Sequence, residues 1–265
     1  MLDRRVLVAS LLAASATTAE AQVAVATIRD MAPTGRLRAA INYGNIVLAR
    51  RGPDGELGGV SVDLARELAR RLNLPLDVVA FDTAGKVTAS AGSNVWDVAF
   101  LAIDPLRAAE IAFTPPYVLI EGTYLVPDAS PLRTVTDLDR DGVRIAVGRG
   151  SAYDLFLTRA LKHASLIRAE TSDAAIRMFL DEKLDAAAGV KQPLVIFARD
   201  KPGFRVIPGR FMAIEQAMGV PRGREAAAGY LRDFVEEMKA SGFVAAALAR
   251  HQQPDAAVAP AANRL

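Results

Sequence analysis

The 265-residue sequence predicts an α/β fold of two units, the second inserted into the first. Three observations predict it. Apolar runs of strand length alternate with segments of helical period along most of the chain. The pattern breaks after Tyr117, where an extended stretch leads into a fresh strand–helix series. It then returns, past Pro208, to an extended stretch and two closing helices. Two units joined by two passages of chain make a hinge, and a ligand caught between them is the expected consequence.

The elements follow in order. Arg4 and Arg5 precede an apolar run from Val6 to Ala16, and Ala19-Glu20-Ala21 supplies a small-x-small cleavage pattern. Residues 1–21 therefore read as a signal peptide cleaved near Ala21, and the run is too short to span a bilayer. The mature chain is expected outside the inner membrane. Residues 22–34 are mixed in character and read as a leader that orders late. A first strand follows Gly35 and enters a loop at Asn42 to Asn45, and RGPDGELG (51–58) is turn chemistry. Val62, Leu64, Ala65, Leu68, Ala69 and Leu72 make one face of a helix, with Arg66, Glu67, Arg70 and Arg71 opposite. Pro75 lies just past its end, before a strand at Leu76 to Phe81. Lys86 to Ala91 reads as a short helix. Val98 to Ile103 is an almost unbroken apolar run, a strand buried on both faces.

Beyond Tyr117, Ile120 to Val126 is extended and Val143 to Val147 is a strand that runs straight into a helix at SAYDLFLTRAL. A strand near Leu166 to Ala169, a helix at Ser172 to Glu182, the strand-like LDAAAGV, a helix at PLVIFARD and a strand at FRVIPG complete the inserted unit. Gly209 to Gly219 is extended, and helices at Arg224 to Lys239 and Phe243 to His251 close the fold. Residues 252–265 (QQPDAAVAPAANRL) have little to bury and read as a disordered tail.

Composition removes several classes of function. The chain is 51% hydrophobic, enough for an ample core, and its charges nearly balance at +2. No basic stripe with interleaved aromatics appears, so a nucleic-acid partner is not expected. There is no cysteine, which excludes disulfides, thiolate metal sites and cysteine nucleophiles. With only His163 and His251, no metal site is expected. No phosphate loop or nucleophile elbow is present, and no cofactor is expected.

The segment from Trp96 to Tyr117 (WDVAFLAIDPLRAAEIAFTPPY) carries the functional signal. The buried strand ending at Ile103 stops at Asp104-Pro105, a carboxylate at a helix N-cap followed by proline at the first helical position. Arg107 then sits in the first turn, where the helix dipole disfavours a cation. A misplaced charge at the mouth of a buried strand points to an anion opposite it. The alternative is a solvated Arg107, or one paired with Glu110. A second anion-holding turn is Val147-Gly148-Arg149-Gly150-Ser151, between a strand and a helix; its alternative is an ordinary turn with Ser151 as cap.

Taken together, these residues resemble the extracytoplasmic solute-binding proteins of polar amino acid ABC transporters, bacterial family 3. The likeness lies in Gly59-Val60-Ser61-Val62-Asp63-Leu64 with ARELARRL, in Trp96-Asp97 through Arg107, in Phe113-Thr114-Pro115-Pro116-Tyr117, in the Gly150-Ser151 turn, and in YLRDFVEEMKASGF (230–243). It spans about Gly35 to His251. It implies a two-lobed periplasmic-binding-protein fold of type II with two crossover strands as hinge. Residues 35–122 and 210–251 would form lobe 1, and 123–209 lobe 2. It also implies that Arg107 binds the ligand's carboxylate, with Gly150 and Ser151 reaching it from the opposite lobe. Arg suits the task because its planar fork binds a carboxylate through two parallel hydrogen bonds.

The departures matter as much. The family usually carries two threonines before the Arg, where this chain has Ala102 and Asp104. The second-lobe segment Gly189 to Pro193 lacks the acid that often receives an α-ammonium. Either Asp104 takes the ammonium or the ligand has none. In the second case Lys191, with its neighbour Gln192, would favour a further anionic group; otherwise Lys191 is a solvated loop charge, and Asp104 a plain N-cap. In the first loop Tyr43 either covers the ligand or packs in the core, and Asn45 either bonds the ligand or tolerates a left-handed turn. Tyr153 lines the cleft or packs on the sheet, and Ile103 borders the site. Tyr117 is expected at the hinge, Glu121 on the crossing, and Trp96 in the core.

The expected function is therefore a monomeric periplasmic receptor, without catalysis, that closes on an amino acid or related small carboxylate and docks on an ABC permease. The alternative is a secreted cyclohexadienyl or arogenate dehydratase-like enzyme on the same fold, with Asp104 or Glu121 as general acid.

Overall fold

A computed structural model describes residues 23–262; the signal-peptide reading of residues 1–21 lies outside them. The first lobe opens with α1 (Val25–Met31), β1 (Leu37–Asn42), the short pair β2 (Arg50–Arg51) and β3 (Leu57–Gly58), and α2 (Val60–Leu72). It continues through β4 (Leu76–Phe81), α3 (Ala84–Ala89) and β5 (Val98–Ala102), after which β6 (Ile111–Pro127) runs on toward the second lobe. The second lobe follows with β7 (Arg144–Gly148), α4 (Ala152–Ala160), β8 (Ser165–Ala169) and α5 (Ser172–Asp181). It ends with β9 (Ala186–Val190), α6 (Lys191–Asp200) and β10 (Phe204–Val206). Then β11 (Met212–Pro221) returns, followed by α7 (Glu225–Ala240), α8 (Phe243–Arg250) and β12 (Ala257–Val258).

Ten strands share one sheet in the order β4-β1-β5-β11-β6-β9-β7-β8, with β10 and β12 also on β6. In the first lobe β1 lies between β4 and β5, all parallel. In the second, β7 lies between β9 and β8, again parallel. The spine is β6, flanked on one side by β11 and β10 and on the other by β12 and β9. Successive residues of a strand point to opposite faces, and helices cover both. Thus Ala39 and Ile41 enter the main core while Ala40 meets Val87 and Trp96 on the far face. In the second lobe Ile145 and Val147 face the main core and Ala146 meets Phe179.

Two readings of the sequence are corrected, those of residues 22–34 and of the tail. Residues 25–31 form α1, packed on α7 rather than a late-ordering leader. The Phe113–Tyr117 stretch, with two prolines, is strand: β6 runs unbroken from Ile111 to Pro127. Prolines cannot donate to a ladder, and the register against β11 shifts there. The Thr114 hydroxyl takes the Met218 N–H at 3.2 Å in their stead. The second correction is the tail. Ala257 and Val258 pair with Leu119 and Val118 of β6, and Ala259 N–H donates to the Tyr117 carbonyl at 3.1 Å. Ahead of β9 that edge of β6 has unpaired backbone groups, and a run of small residues fits closely enough to satisfy them.

Candidate functional site

All five residues of β5 are buried, and the chain turns sharply at its end. Asp104 caps that turn, its Oδ1 accepting Leu106 N–H at 2.9 Å. A single 3-10 turn, Arg107–Ala109, replaces the short helix expected. The turn sends the Arg107 side chain back between the lobes, where it is 1% exposed. Nη1 donates to the Ala102 carbonyl at 2.8 Å, and Nη2 crosses to the Gly150 carbonyl of the second lobe at 2.9 Å. Nε has no partner. Among the described residues no carboxylate pairs with this guanidinium, because Asp104 is held by Arg159. Burial pushes the Arg107 pKa down to about 10, with nearby Asp104 opposing the shift. The group stays charged at neutral pH. A buried cation with only carbonyl partners costs several kcal/mol relative to one with a counter-ion, so the site calls for an anion.

The cavity it faces measures about 60 Å³, room for a compact ligand. Its first-lobe wall comprises Asn42, Gly44 and Asn45 after β1, Asp82 and Thr83 after β4, and Leu101, Ala102 and Arg107 around the end of β5. From the second lobe come Gly148, Arg149, Ser151 and Tyr153 after β7, and Thr171 and Ser172 after β8. Each of these groups follows the carboxyl end of a parallel strand, where open α/β sheets place their ligands. Tyr153 hydroxyl and Ser172 Oγ are 2.7 Å apart, and burial raises the Tyr153 pKa.

The lobes meet closely at the rim. Gly150 has φ +69°, and a Cβ there would lie 2.9 Å from the Gly85 Cα. Only glycine allows both this left-handed backbone and this approach.

Of the residues singled out in the sequence, Arg107, Asn45, Ser151 and Tyr153 line the cavity, and Gly150 touches Arg107 through its carbonyl. The Gly150 amide, expected to hold an anion, donates instead to Asp154 Oδ2 at 2.8 Å. Asp154 also takes Arg168 Nε at 2.8 Å, so the start of α4 already contains a carboxylate. Asp104 lies off the wall, its Oδ2 2.7 Å from Arg159 Nη2. Lys191 Nζ donates to Glu121 at 2.7 Å and belongs to the crossing, where Arg210 meets the same carboxylate at 3.2 Å. Tyr43 packs on the main core under the Arg51 guanidinium, 4.9 Å from the ring centroid. Ile103 donates its N–H to Glu215, and neither it nor Gln192 lines the cavity. Tyr117 is buried at the crossing, 3.0 Å from Ser61 Oγ, and the Trp96 indole N–H donates to Ser90.

Sequence reasoning missed Asp82, Thr83, Thr171 and Ser172. The signal was present: each pair follows an apolar strand and opens a helix, with Thr83 capping α3 and Thr171 capping α5.

Among the described residues no helix is long and apolar enough to cross a membrane, and no cluster of His, Asp and Glu is arranged for a metal. The family model for bacterial extracellular solute-binding proteins, family 3, matches residues 37–253. Solved structures with this fold include the solute receptor for L-cysteine of Neisseria gonorrhoeae, at TM-score 0.75 and 21% identity, covering 86% of this chain and 94% of that one. A mutant of ArgBP from T. maritima aligns at TM-score 0.73 and 21% identity, over 85% of this chain and 99% of that one. An ancestral amino acid-binding protein, a precursor of cyclohexadienyl dehydratase, aligns at TM-score 0.71 and 19% identity, over 84% and 98%. At these identities the likeness is one of fold.

Proposed function

We propose that this chain, which belongs to the bacterial extracellular solute-binding proteins of family 3, is the periplasmic substrate-binding component of an ABC importer. It binds an amino acid or related small carboxylate between its lobes and releases it unchanged. The observation that carries this reading is Arg107, a buried cation with an idle N–H facing a small interlobe cavity. A carboxylate there supplies the missing counter-charge and uses the guanidinium fork.

Residues 35–122 and 210–251 act as one lobe and 123–209 as the other, with Glu121 and Arg210 marking the hinge passages. Ligand contacts from both lobes stabilise the closed form, a population shift in a two-state hinge. A membrane permease reads that closed form on a monomeric receptor. The signal peptide delivers the chain to the periplasm.

A dehydratase on this fold needs a general acid beside the leaving group. Asp104 and Glu121, the carboxylates considered for that role, both lie in ion pairs off the cavity wall. The hydrogen bond from Lys191, helped by Arg210, holds Glu121 below the usual carboxylate range. It is ionised and has no proton to give.

Calorimetric titration of the mature chain with L-amino acids and small mono- and dicarboxylates tests the proposal. One-to-one binding without turnover is expected, weakened by about 2–5 kcal/mol in Arg107→Ala. Turnover of prephenate or arogenate, or unchanged affinity in the variant, overturns it.

A further inference from the structure

One carboxylate stands on the cavity wall among the described residues, that of Asp82, and its two oxygens differ in surroundings. Oδ2 accepts from Lys86 Nζ at 2.6 Å, and the Lys86 side chain is 60% exposed. Oδ1 is buried and has no partner. Asn45, also on the wall, buries a second acceptor without a partner, its side-chain Oδ1. The loop after β1 crosses directly over the end of β4. A Cβ on Gly44 would lie 2.1 Å from the Asp82 carbonyl oxygen, so only glycine lets the loop pass.

On the first-lobe wall of the cavity three buried polar atoms are therefore idle: one donor, Arg107 Nε, and two acceptors, Asp82 Oδ1 and Asn45 Oδ1. Each idle acceptor costs about 1–3 kcal/mol when sealed from water. A purely anionic ligand would answer Arg107 and leave both acceptors unpaired, with its own negative charge set against Asp82. An ammonium carries three donors and no acceptor. The rest of the site offers that group no other carboxylate. Asp104 is bound to Arg159, Asp154 to Gly150 and Arg168, and Glu121 to Lys191 and Arg210.

We infer that the ligand is a zwitterion whose carboxylate lies at Arg107 and whose ammonium donates to Asp82 and Asn45, so that the first lobe alone holds both charges. The inference rests on the solute-binding reading above and narrows it to an amino-carboxylate. Ligand is then recognised in the open form by one lobe, and the second lobe closes over a charge pattern already matched. Selectivity against deaminated acids resides in Asp82 rather than in any second-lobe residue.

The test is calorimetry on the mature chain with each of the twenty L-amino acids, and then with the deaminated carboxylic acid of the tightest binder. Wild type is expected to bind the amino acid about 100-fold or more tightly than its deaminated counterpart, because a site built for an N–H donor rejects the analogue lacking it. Asp82→Asn, isosteric and checked for folding by circular dichroism, is expected to weaken amino acid binding about 10-fold or more and to erode that preference. Lys86→Met keeps the carboxylate and is expected to keep the preference. Equal binding of the deaminated acid, an unchanged Asp82→Asn, or a loss in Lys86→Met as large as in Asp82→Asn overturns the inference while leaving the solute-binding reading intact. Binding of neither kind of acid by wild type overturns the solute-binding reading itself, and the inference with it.

Discussion

Arg159 on α4 of the second lobe reaches across the cleft to Asp104 at the end of β5, Nη2 to Oδ2 at 2.7 Å. The Asp104 side chain is only 4% exposed, whereas that of Arg159 is 42% exposed. The pair fastens the lobes beside Arg107 without touching the cavity. In the proposed hinge motion, opening the cleft breaks it and exposes Asp104 to water, so the contact adds stability to the closed form alone. Arg159→Ala is therefore expected to shift the hinge toward the open state and to weaken ligand binding about 5- to 10-fold, a loss of roughly 1 kcal/mol. Small-angle scattering of the variant with saturating ligand should still show the compact form. Unchanged affinity would mean that the pair contributes nothing to closure.

Arg107 separates function from stability. Its charge is buried against carbonyls alone, and it lacks a carboxylate that would offset the lost hydration. Replacing a buried ion pair with apolar side chains of similar volume is often neutral or stabilising by about 1–4 kcal/mol, and a cation without a counter-ion has less attraction to lose. Arg107→Met is expected to unfold at or above the temperature of the unliganded wild type. Ligand should no longer raise that temperature. Differential scanning calorimetry with and without a bound amino acid measures both quantities. A large drop in the unliganded melting temperature would make Arg107 a structural residue.

Part of the cavity wall was legible in the sequence, for physical reasons that differ from residue to residue. Arg107 announced itself because a cation in a first helical turn at the end of a buried strand is unfavourable unless something answers it. Gly150 and Ser151 showed through the glycine-rich turn between strand and helix. The use of their groups was not legible: Asp154, one turn into α4, takes the Gly150 amide, and the carbonyl turns to Arg107. Arg159 sits on a helix surface and looks solvated until the second lobe closes over Asp104. Lys191 is drawn to Glu121, 70 residues earlier in sequence, a pairing set by the strand crossing and invisible to local pattern. The C-terminal run QQPDAAVAPAANRL has the composition of a tail, and residues 257–259 within it owe their order to the open edge of β6 on which they pair.

Acid should loosen the first lobe through Glu67. Its carboxylate receives Arg70 and Arg71, and Arg71 continues to Glu237 of α7, tying α2 to the closing helix. The hydrogen bond from Arg70, reinforced by Arg71, lowers the Glu67 pKa from 4.5 to about 2. A carboxylate with a depressed folded pKa stabilises the fold above its unfolded pKa, and that contribution is lost as pH falls through the folded one. The stabilisation is complete above roughly pH 5 and fades from there toward pH 2. Partial exposure of the network and screening by solvent reduce it to about 1 kcal/mol. Wild type should lose melting temperature more steeply than Glu67→Gln over that interval, and the two curves should run parallel above it. Parallel curves throughout would show that the network is electrostatically idle.

In the proposed closure, Gly150 sets how far the cleft can shut. Its backbone is left-handed at φ +69°, and a methyl group on its Cα would come 2.9 Å from the Cα of Gly85 across the seam. The two effects act on different states. The left-handed strain is present whether the cleft is open or closed, because it belongs to the turn after β7, and it costs about 1–2 kcal/mol of overall stability. The collision with Gly85 exists only when the lobes meet, and it falls on backbone that cannot rotate away. It also shifts the carbonyl that Arg107 grips. Gly150→Ala is therefore expected to fold, to melt a few degrees lower, and to bind about 10-fold or more weakly because its closed form is held apart. Gly142, at φ +83° on the same lobe with nothing within 4 Å of its added Cβ, supplies the control. Gly142→Ala should lose a similar amount of stability and no affinity. Equal affinity losses in the two variants would mean that strain, and not the seam, explains the effect.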